Sequence, residues 1–306
     1  MINFKPVIKI SGALLILLGI AMLTGLIPAL YYNSEDKWAL LYAGSLTIGI
    51  GIPMFFSIRS RQDGNIRKRE GYLIVALGWI TMATASALPY LFSGTIPNWT
   101  DALFESVSGI TTTGASVIRD IEALPPGILY WRSLTQWIGG MGIIVLTVAI
   151  FPLLGIGGIE LFVAEAPGPT SDKLHPRIRE TARRLWFIYL GLTAILAIIL
   201  AFAGMTLFEA INHAFTTMAT GGFSTRNASM AHWDLPVIQY PIILFMFLAG
   251  TNFTITYFGL EGKWKKVWYS DEFKAYLGLV FLLAIIVALS VQQSTGLPME
   301  KAFRDS

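Results

Sequence analysis

Two short stretches rich in threonine and glycine have the composition of a backbone that can coordinate an ion. Each follows a short apolar segment, and their residues are Thr111, Thr112, Thr113 and Gly114, and Ala219, Thr220, Gly221 and Gly222. Threonine favours extended backbone, glycine accepts φ values that other residues resist, and carbonyl oxygens of such a strand can replace the hydration shell of a cation. We therefore expect metal-ion coordination at these positions, mainly by backbone carbonyl oxygens.

The apolar segment before the first stretch is too short to cross a membrane. It lies between two long uncharged segments, 71–100 and 133–159, so it must enter and leave a bilayer on the same side. A helix over 100–110 would be roughly 16 Å long, about half of the hydrocarbon thickness, and its partially negative C-terminal end would favour a cation. This is the outline of a pore loop. The alternative is an amphipathic helix at the membrane surface, with TTTG as a plain helix stop.

The chain contains a second copy of this arrangement. The aligned pairs are Asp101 with Glu209, Ala102 with Ala210, Gly114 with Gly222, and Ser116 with Ser224. The second copy predicts a short helix over 206–218, which opens with a capping box formed by Thr206 and Glu209. A third copy begins at 301–306, which resembles 101–106, and its loop would fall beyond Ser306. We therefore expect the chain to be a fragment of a longer protein.

The composition indicates an all-α polytopic membrane protein. Hydrophobic residues make up 54% of the chain, charged residues 13%, and the net charge is only +3, which gives no argument for a nucleic-acid partner. Cysteine is absent, which excludes disulfides, iron–sulfur clusters and thiol catalysis. The three histidines have no metal-binding spacing and are interpreted as structural, and no nucleotide-binding or hydrolase motif occurs. No cofactor is expected.

Hydropathy predicts seven membrane-spanning segments, at 10–32, 38–57, 72–93, 129–153, 184–205, 236–259 and 273–293. The predicted domains are a transmembrane hairpin at 1–57, a helix–loop–helix unit at 71–153, a second unit at 183–259, and the start of a third at 272–306. Basic residues concentrate at 58–70, 173–184 and 263–274, all on one side. The positive-inside rule makes that side cytoplasmic and places the entrances of both short helices outside. The loop at 155–183 is expected to face a soluble partner.

Several polar and small residues lie near the predicted loops. Asn252, in the sixth segment, is costly in mid-membrane without a partner, so it either lines the ion path or bonds a neighbouring helix. Glycines at 139, 140 and 142 favour close helix packing, including packing against a pore loop. The acids Asp101, Glu105 and Glu209 are expected at the outer ends of the short helices, and Asp120 and Glu122 in a solvated external loop.

These motifs together resemble those of a known family. TTTGAS and ATGGFS after the short helices, WRSLTQWIGGMGI at 131–143 and LAGTNF at 248–253 resemble the TrkH/KtrB/HKT superfamily of potassium transporters, and its TrkH branch most because of the N-terminal hairpin. The resemblance implies tandem helix–pore loop–helix repeats of potassium-channel type, with four pseudo-symmetric units around one pore. It further implies a homodimer in the bacterial inner membrane, in contact with lipid and with a cytosolic ring of nucleotide-binding TrkA-type regulatory subunits.

The resemblance also implies an activity, which is potassium uptake through a selectivity filter, with K⁺ as the transported ion and no enzymatic reaction. Serine in place of the first filter glycine accompanies sodium transport in plant relatives, so Gly114 and Gly222 favour potassium. Transport of another monovalent cation, sodium or ammonium, stays an alternative. A membrane-embedded enzyme or scaffold is a further one, although an enzyme would need convergent His, Asp or Lys at the midplane.

Overall fold

The computed structural model describes residues 3–57, 68–142 and 178–304. Every regular element within these ranges is a helix, which confirms the all-α fold class. Among the described residues, five helical segments are long and apolar enough to cross a membrane, by length and composition: Phe4–Tyr31, Lys37–Phe56, Glu70–Phe92, Arg183–Phe202 and Asp271–Thr295. They coincide with five of the seven predicted segments. Residues 58–67 of the predicted basic loop at 58–70, and most of the predicted loop at 155–183, lie outside the described residues.

The N-terminal hairpin consists of α1 (Phe4–Thr24), α2 (Leu26–Tyr31) and α3 (Lys37–Phe56). Glycines bring α1 and α3 into close contact, since a Cβ on Gly12 would lie 2.7 Å from the backbone nitrogen of Phe55. The turn between α2 and α3 carries the buried Asp36, whose Oδ2 accepts a hydrogen bond from the N–H of Ile128 at 2.9 Å. The hairpin therefore caps the helix that begins at Pro126.

The next part contains α4 (Lys68–Ser86), α5 (Leu88–Phe92), the short α6 (Trp99–Ile110) and α7 (Pro126–Gly140). The third predicted segment is thus two helices, which meet at Ala87, immediately before the Leu88-Pro89 start of α5. Proline lacks a backbone N–H and is tolerated in the first turn of a helix, so it fits this start. In the fourth predicted segment α7 ends at Gly140, and 143–153 lie outside the described residues.

The second repeat contains α8 (Ile178–Phe202), the short α9 (Leu207–Met218), α10 (Pro236–Gly250) and α11 (Phe253–Leu260). The prediction of one continuous helix over 236–259 is wrong, because the helix breaks at Thr251, whose backbone is extended with ψ of 144°. Two hydroxyls satisfy the carbonyl oxygen of Phe247 at the break: Thr251 Oγ1 donates at 2.8 Å and the Tyr276 hydroxyl at 3.2 Å. Side-chain insertion of this kind is a recognised cause of helix breaks.

The last described part consists of α12 (Trp264–Trp268), α13 (Asp271–Thr295) and α14 (Met299–Arg304). Gly296, with a φ of 70°, ends α13, and the chain then turns into the third short helix at the predicted place. Ala302 in α14 is fully buried, as are its predicted counterparts Ala102 and Ala210. The tandem helix–short helix–helix order therefore begins a third time, while the division of the chain at the predicted boundaries stays a prediction.

Candidate functional site

Two short helices of equal length carry the predicted ion-binding loops. Both α6 and α9 have 12 residues, or about 18 Å at 1.5 Å per residue, so neither can cross the hydrocarbon core. The side chain of Asn98 caps α6 by accepting from the N–H of Thr100 at 3.0 Å. The predicted capping box of α9 is present, with Thr206 and Glu209 bonding each other's backbone N–H. The two predicted short helices are thereby confirmed.

The backbone leaves both helices by the same path. Three hydrogen bonds close each helix end and match pairwise, 108 residues apart: Thr111 N to Val107 O, Thr112 N to Gly109 O and Thr113 N to Ser108 O, and Ala219 N to Phe215 O, Thr220 N to Thr217 O and Gly221 N to Thr216 O. The second and fourth loop residues have left-handed φ in both copies, namely Thr112 at 56°, Gly114 at 80°, Thr220 at 53° and Gly222 at 79°. A left-handed threonine is uncommon, and such conformations cluster at functional sites.

The two loops lie side by side. A Cβ on Gly114 would overlap the carbonyl oxygen of Gly221, so the first strand passes directly against the second. Helix α7 packs against both, because a Cβ on Gly139 would overlap the carbonyl oxygen of Ile110, and one on Gly140 would lie 2.8 Å from the Cα of Ala219. The predicted close packing against the loops is confirmed at Gly139 and Gly140, while a Cβ on Gly142 would lie 3.3 Å from the ring of Trp79 instead.

A buried glutamine on α7 holds the second loop from behind. Gln136 is fully buried; its Nε2 donates to the carbonyl oxygen of Gly221 at 2.9 Å, and its Oε1 accepts from the N–H of Phe223 at 3.1 Å. Among the predicted coordinating residues, Gly221 thus has a carbonyl oxygen that is already hydrogen-bonded. A carbonyl oxygen has two lone pairs, so this bond occupies one of them.

A buried ion pair links the two repeats one helical turn before Gln136 on α7. Arg132 Nε donates to Glu105 Oε1 at 2.7 Å and its Nη1 donates to the carbonyl oxygen of Ser224 at 3.1 Å, with the guanidinium 3.6 Å from the ring centre of Phe223. Only 2% of the Arg132 side chain is exposed, and none of Glu105. Such a pair is tolerable in the interior because each charge compensates the other.

The prediction that Glu105 lies at the outer end of its short helix is wrong. It is the seventh residue of α6, and its carboxylate accepts from Ser116 Oγ at 3.1 Å and from the N–H of Val117 at 3.0 Å. The reason is that the chain after Gly114 runs back along α6 and covers this side chain. The aligned residue in the second copy is His213, whose Nε2 lies 3.0 Å from Ser224 Oγ, so this histidine is structural as predicted.

The sequence interpretation assigned no role to Arg132 or Gln136, although both lie in the WRSLTQWIGGMGI segment. A signal was present, since an arginine within an apolar helix is by default a functional candidate. Gln136 stands four residues later, which places both side chains on the same face of α7. Their partners could not be read from spacing, because these partners lie 85 and 92 residues away in the chain.

The outer loops also contact each other, and Asp120 and Glu122 are exposed, as predicted for a solvated external loop. Asn227 Nδ2 donates to Asp120 Oδ1 at 2.9 Å, and the N–H of Asn227 donates to Glu122 Oε1 at 3.2 Å. Arg226 lies 2.6 Å from Glu209 Oε1. Burial alone would raise the pKa of Glu209, but hydrogen bonds from Thr206 and Arg226 outweigh it and hold this pKa below its usual value.

Asn252, the further candidate for lining the ion path, bonds a neighbouring helix. Its Nδ2 lies 3.3 Å from Glu272 Oε1, in the first turn of α13. One of the two predicted roles is therefore present, and lining of the path stays a prediction. In 3–57, 68–142 and 178–304, the structure contains no group of three or more His, Cys, Asp or Glu residues arranged to hold a metal ion.

Comparison with known proteins places this architecture in a family. The family model described as TrkH, cation transport protein, matches residues 44–290. The Trk system potassium uptake protein TrkH of Escherichia coli (strain K12) is 42% identical over 311 residues, which cover 98% of this chain and 64% of that protein. The corresponding protein of Halomonas elongata is 38% identical over 94% of this chain and 60% of its own length.

A solved structure shows the same fold. The crystal structure of the potassium transporter TrkH from Vibrio parahaemolyticus matches with a TM-score of 0.83 and 38% identity, over 99% of this chain and 62% of that one. The chain thus spans less than two thirds of the length of these relatives. Because the family model covers most of the chain, and because the chain shares its fold with that solved structure, the chain belongs to the TrkH family of cation transport proteins.

Proposed function

We propose that this chain forms part of the membrane subunit of a Trk-type potassium uptake system. K⁺ passes along the two adjacent loops and is coordinated mainly by backbone carbonyl oxygens of residues 111–114 and 219–222. The observation that carries the proposal is the repeated backbone of these loops. Left-handed φ values recur at the second and fourth residue of each loop, at the ends of two helices too short to cross a membrane.

The electrostatics of the loops favour a weakly hydrated monovalent cation. Glu105 lies behind the first loop, but Arg132 neutralises its charge at 2.7 Å. The C-terminal ends of α6 and α9, each partially negative, meet the loops at Thr111 and Ala219. Selection then rests on carbonyl dipoles and helix ends, which can replace the loosely held water of K⁺ more readily than the tightly held water of a smaller ion.

The setting of the protein is proposed on the same basis. The relatives are named as parts of a Trk system, which supports a cytosolic partner, here proposed to be a TrkA-type nucleotide-binding subunit. The proposed unit is a homodimer in the lipid of the bacterial inner membrane, acting as a transporter and not as an enzyme. The five helical segments of membrane-spanning length and composition in the described part of the chain support the membrane location.

Uptake of ⁸⁶Rb⁺ by cells that lack their own potassium uptake systems tests the proposal. Cells that express the complete protein containing this chain should accumulate Rb⁺ and grow at low external K⁺, while vector-only cells should do neither. ²²Na⁺ and ammonium uptake are measured in parallel. Absence of Rb⁺ uptake with the protein present in the membrane would refute potassium transport, and preferential Na⁺ or ammonium uptake would establish the alternative cation.

Cysteine labelling tests the proposed topology, since the chain has no native cysteine. A cysteine introduced at position 120 should react with an impermeant maleimide added outside intact cells, and one at position 63 should react only after the cells are broken. The opposite pattern would invert the topology and place the loop entrances on the cytoplasmic side.

A further inference from the structure

The buried carboxamide of Gln136 fixes the backbone on both sides of Gly222. It donates to the carbonyl oxygen of Gly221 and accepts from the N–H of Phe223. A primary amide suits this task because it carries donor and acceptor on one planar group. One side chain from α7 therefore restrains the two consecutive peptide groups that Gly222 joins, in a loop that belongs to the other repeat.

These two bonds determine where the oxygen atoms of the loop point. The N–H and C=O of a trans peptide point in opposite directions, and the described residues contain no cis peptide bond. Because the N–H of Phe223 points toward Gln136, the carbonyl oxygen of Gly222 points away from it. The carbonyl oxygen of Gly221 points toward Gln136. The glutamine thus directs one carbonyl oxygen of the loop away from α7 and retains the other.

Packing around the Cβ direction of Gly222 does not supply this restraint. Gly222 has a φ of 79°, and apart from its chain neighbours a Cβ built on it would meet no described atom within 4 Å. At the matching position of the first loop, a Cβ built on Gly114 would instead overlap the carbonyl oxygen of Gly221. Glycine samples left- and right-handed φ with similar ease, so a glycine in open space needs an external bond to hold one conformation. Gln136 provides two such bonds.

We propose that Gln136 is a positioning residue that sets the cation discrimination of the second loop. The inference rests on the proposed function, since it concerns the ion that the same loop transports. Gln136 acts through the orientation of the Gly221 and Gly222 peptide groups and does not contact the ion. Without its bonds these groups rotate, the geometry of the carbonyl oxygens relaxes, and the preference for a weakly hydrated cation falls.

The test compares Rb⁺ and Na⁺ uptake by Gln136→Met and wild-type forms of the complete protein. Methionine keeps the length of the side chain and removes both hydrogen bonds. The expected result is a fall of about tenfold in the ratio of Rb⁺ to Na⁺ uptake, which corresponds to about 1.4 kcal/mol. A substitution that only lowered the amount of folded protein would reduce both fluxes equally and leave the ratio unchanged.

The matched control is Gln239→Met on α10. Gln239 is also buried, but its Nε2 donates to the carbonyl oxygen of Met230 at 3.4 Å, away from both ion-binding loops. The ratio of Rb⁺ to Na⁺ uptake by Gln239→Met should therefore stay at the wild-type value. If Gln136→Met does not accumulate in the membrane, Gln136→Asn is measured instead, because it keeps an amide but withdraws it by one methylene group. The same fall in the ratio is expected.

Three results would overturn the inference. The first is an unchanged ratio in a Gln136 variant that accumulates normally, and the second is an equal fall in Gln239→Met. The third is failure of both Gln136 variants to accumulate while Gln239→Met accumulates, because the glutamine would then serve folding alone. Failure of the proposed function is distinguishable, since it would appear as missing Rb⁺ uptake in the wild-type protein.

Discussion

Arg132→Met should destabilise the protein by about 3–5 kcal/mol, because the Glu105 carboxylate would stay buried without its cation. Glu105→Gln should cost a similar amount, since it leaves the guanidinium uncompensated at 2% exposure. Taking about 4 kcal/mol for each, two independent losses would sum to about 8 kcal/mol. The structure predicts a loss smaller than this sum when Arg132→Met and Glu105→Gln are combined, because the double variant leaves no unpaired charge.

The loss expected in the double variant follows from the contacts that remain broken. Arg132 also donates to the carbonyl oxygen of Ser224 at 3.1 Å and lies 3.6 Å from the ring centre of Phe223. A hydrogen bond from a charged group contributes about 2 kcal/mol and a desolvated cation–π contact about 2 kcal/mol. The double variant should therefore lose about 4 kcal/mol, which leaves a coupling energy of about 4 kcal/mol between the two residues.

Reversible unfolding in mixed micelles measures these free energies, with SDS as the denaturant and tryptophan fluorescence as the signal. The matched control is the exposed pair of Asp271 and Lys274 on α13, 3.3 Å apart. The double-variant cycle at this pair should give a coupling energy of no more than about 0.5 kcal/mol. If the losses at Arg132 and Glu105 simply add, the two side chains do not act as a buried pair and the reasoning is wrong.

Three further predictions concern single positions and use the same unfolding assay or ion uptake. Gly114→Ala should lower Rb⁺ uptake more than Gly222→Ala, because both positions need left-handed φ but only Gly114 has a neighbouring carbonyl oxygen that an added Cβ would overlap. Equal losses in the two variants would contradict this expectation. Asp36→Ala should cost about 1–2 kcal/mol through loss of the cap on Ile128, and no loss would show that the cap is dispensable. The lowered pKa of Glu209 predicts a stabilisation that is complete above the unfolded-state pKa and is lost as pH falls through the folded-state pKa; Glu209→Gln should remove this acid dependence, and an unchanged profile would assign it elsewhere.

Local features of the fold could be predicted from the sequence because they depend on neighbouring residues. The two short helices follow from the length of their apolar segments and from caps such as Thr206 with Glu209, which lie three residues apart. The repeat was visible because both copies keep glycine at Gly114 and Gly222, where the backbone is left-handed. The break at Thr251 was missed because a hydropathy window averages over the polar residues that break the helix.

Contacts between the repeats needed the tertiary structure. Hydropathy treated Gln136 as one residue of a spanning segment and Glu105 as a charge at a helix entrance, yet both are buried behind the loops. Gln136 meets Gly221 across 85 residues of sequence, and Arg132 meets Ser224 across 92. Periodicity assigns a side chain to a face of its own helix, but the groups that this face meets depend on how the helices pack. The backbone chemistry of the loops is therefore a property of the sequence, and the bonds that orient their carbonyl groups arise only when α7 packs between the two short helices.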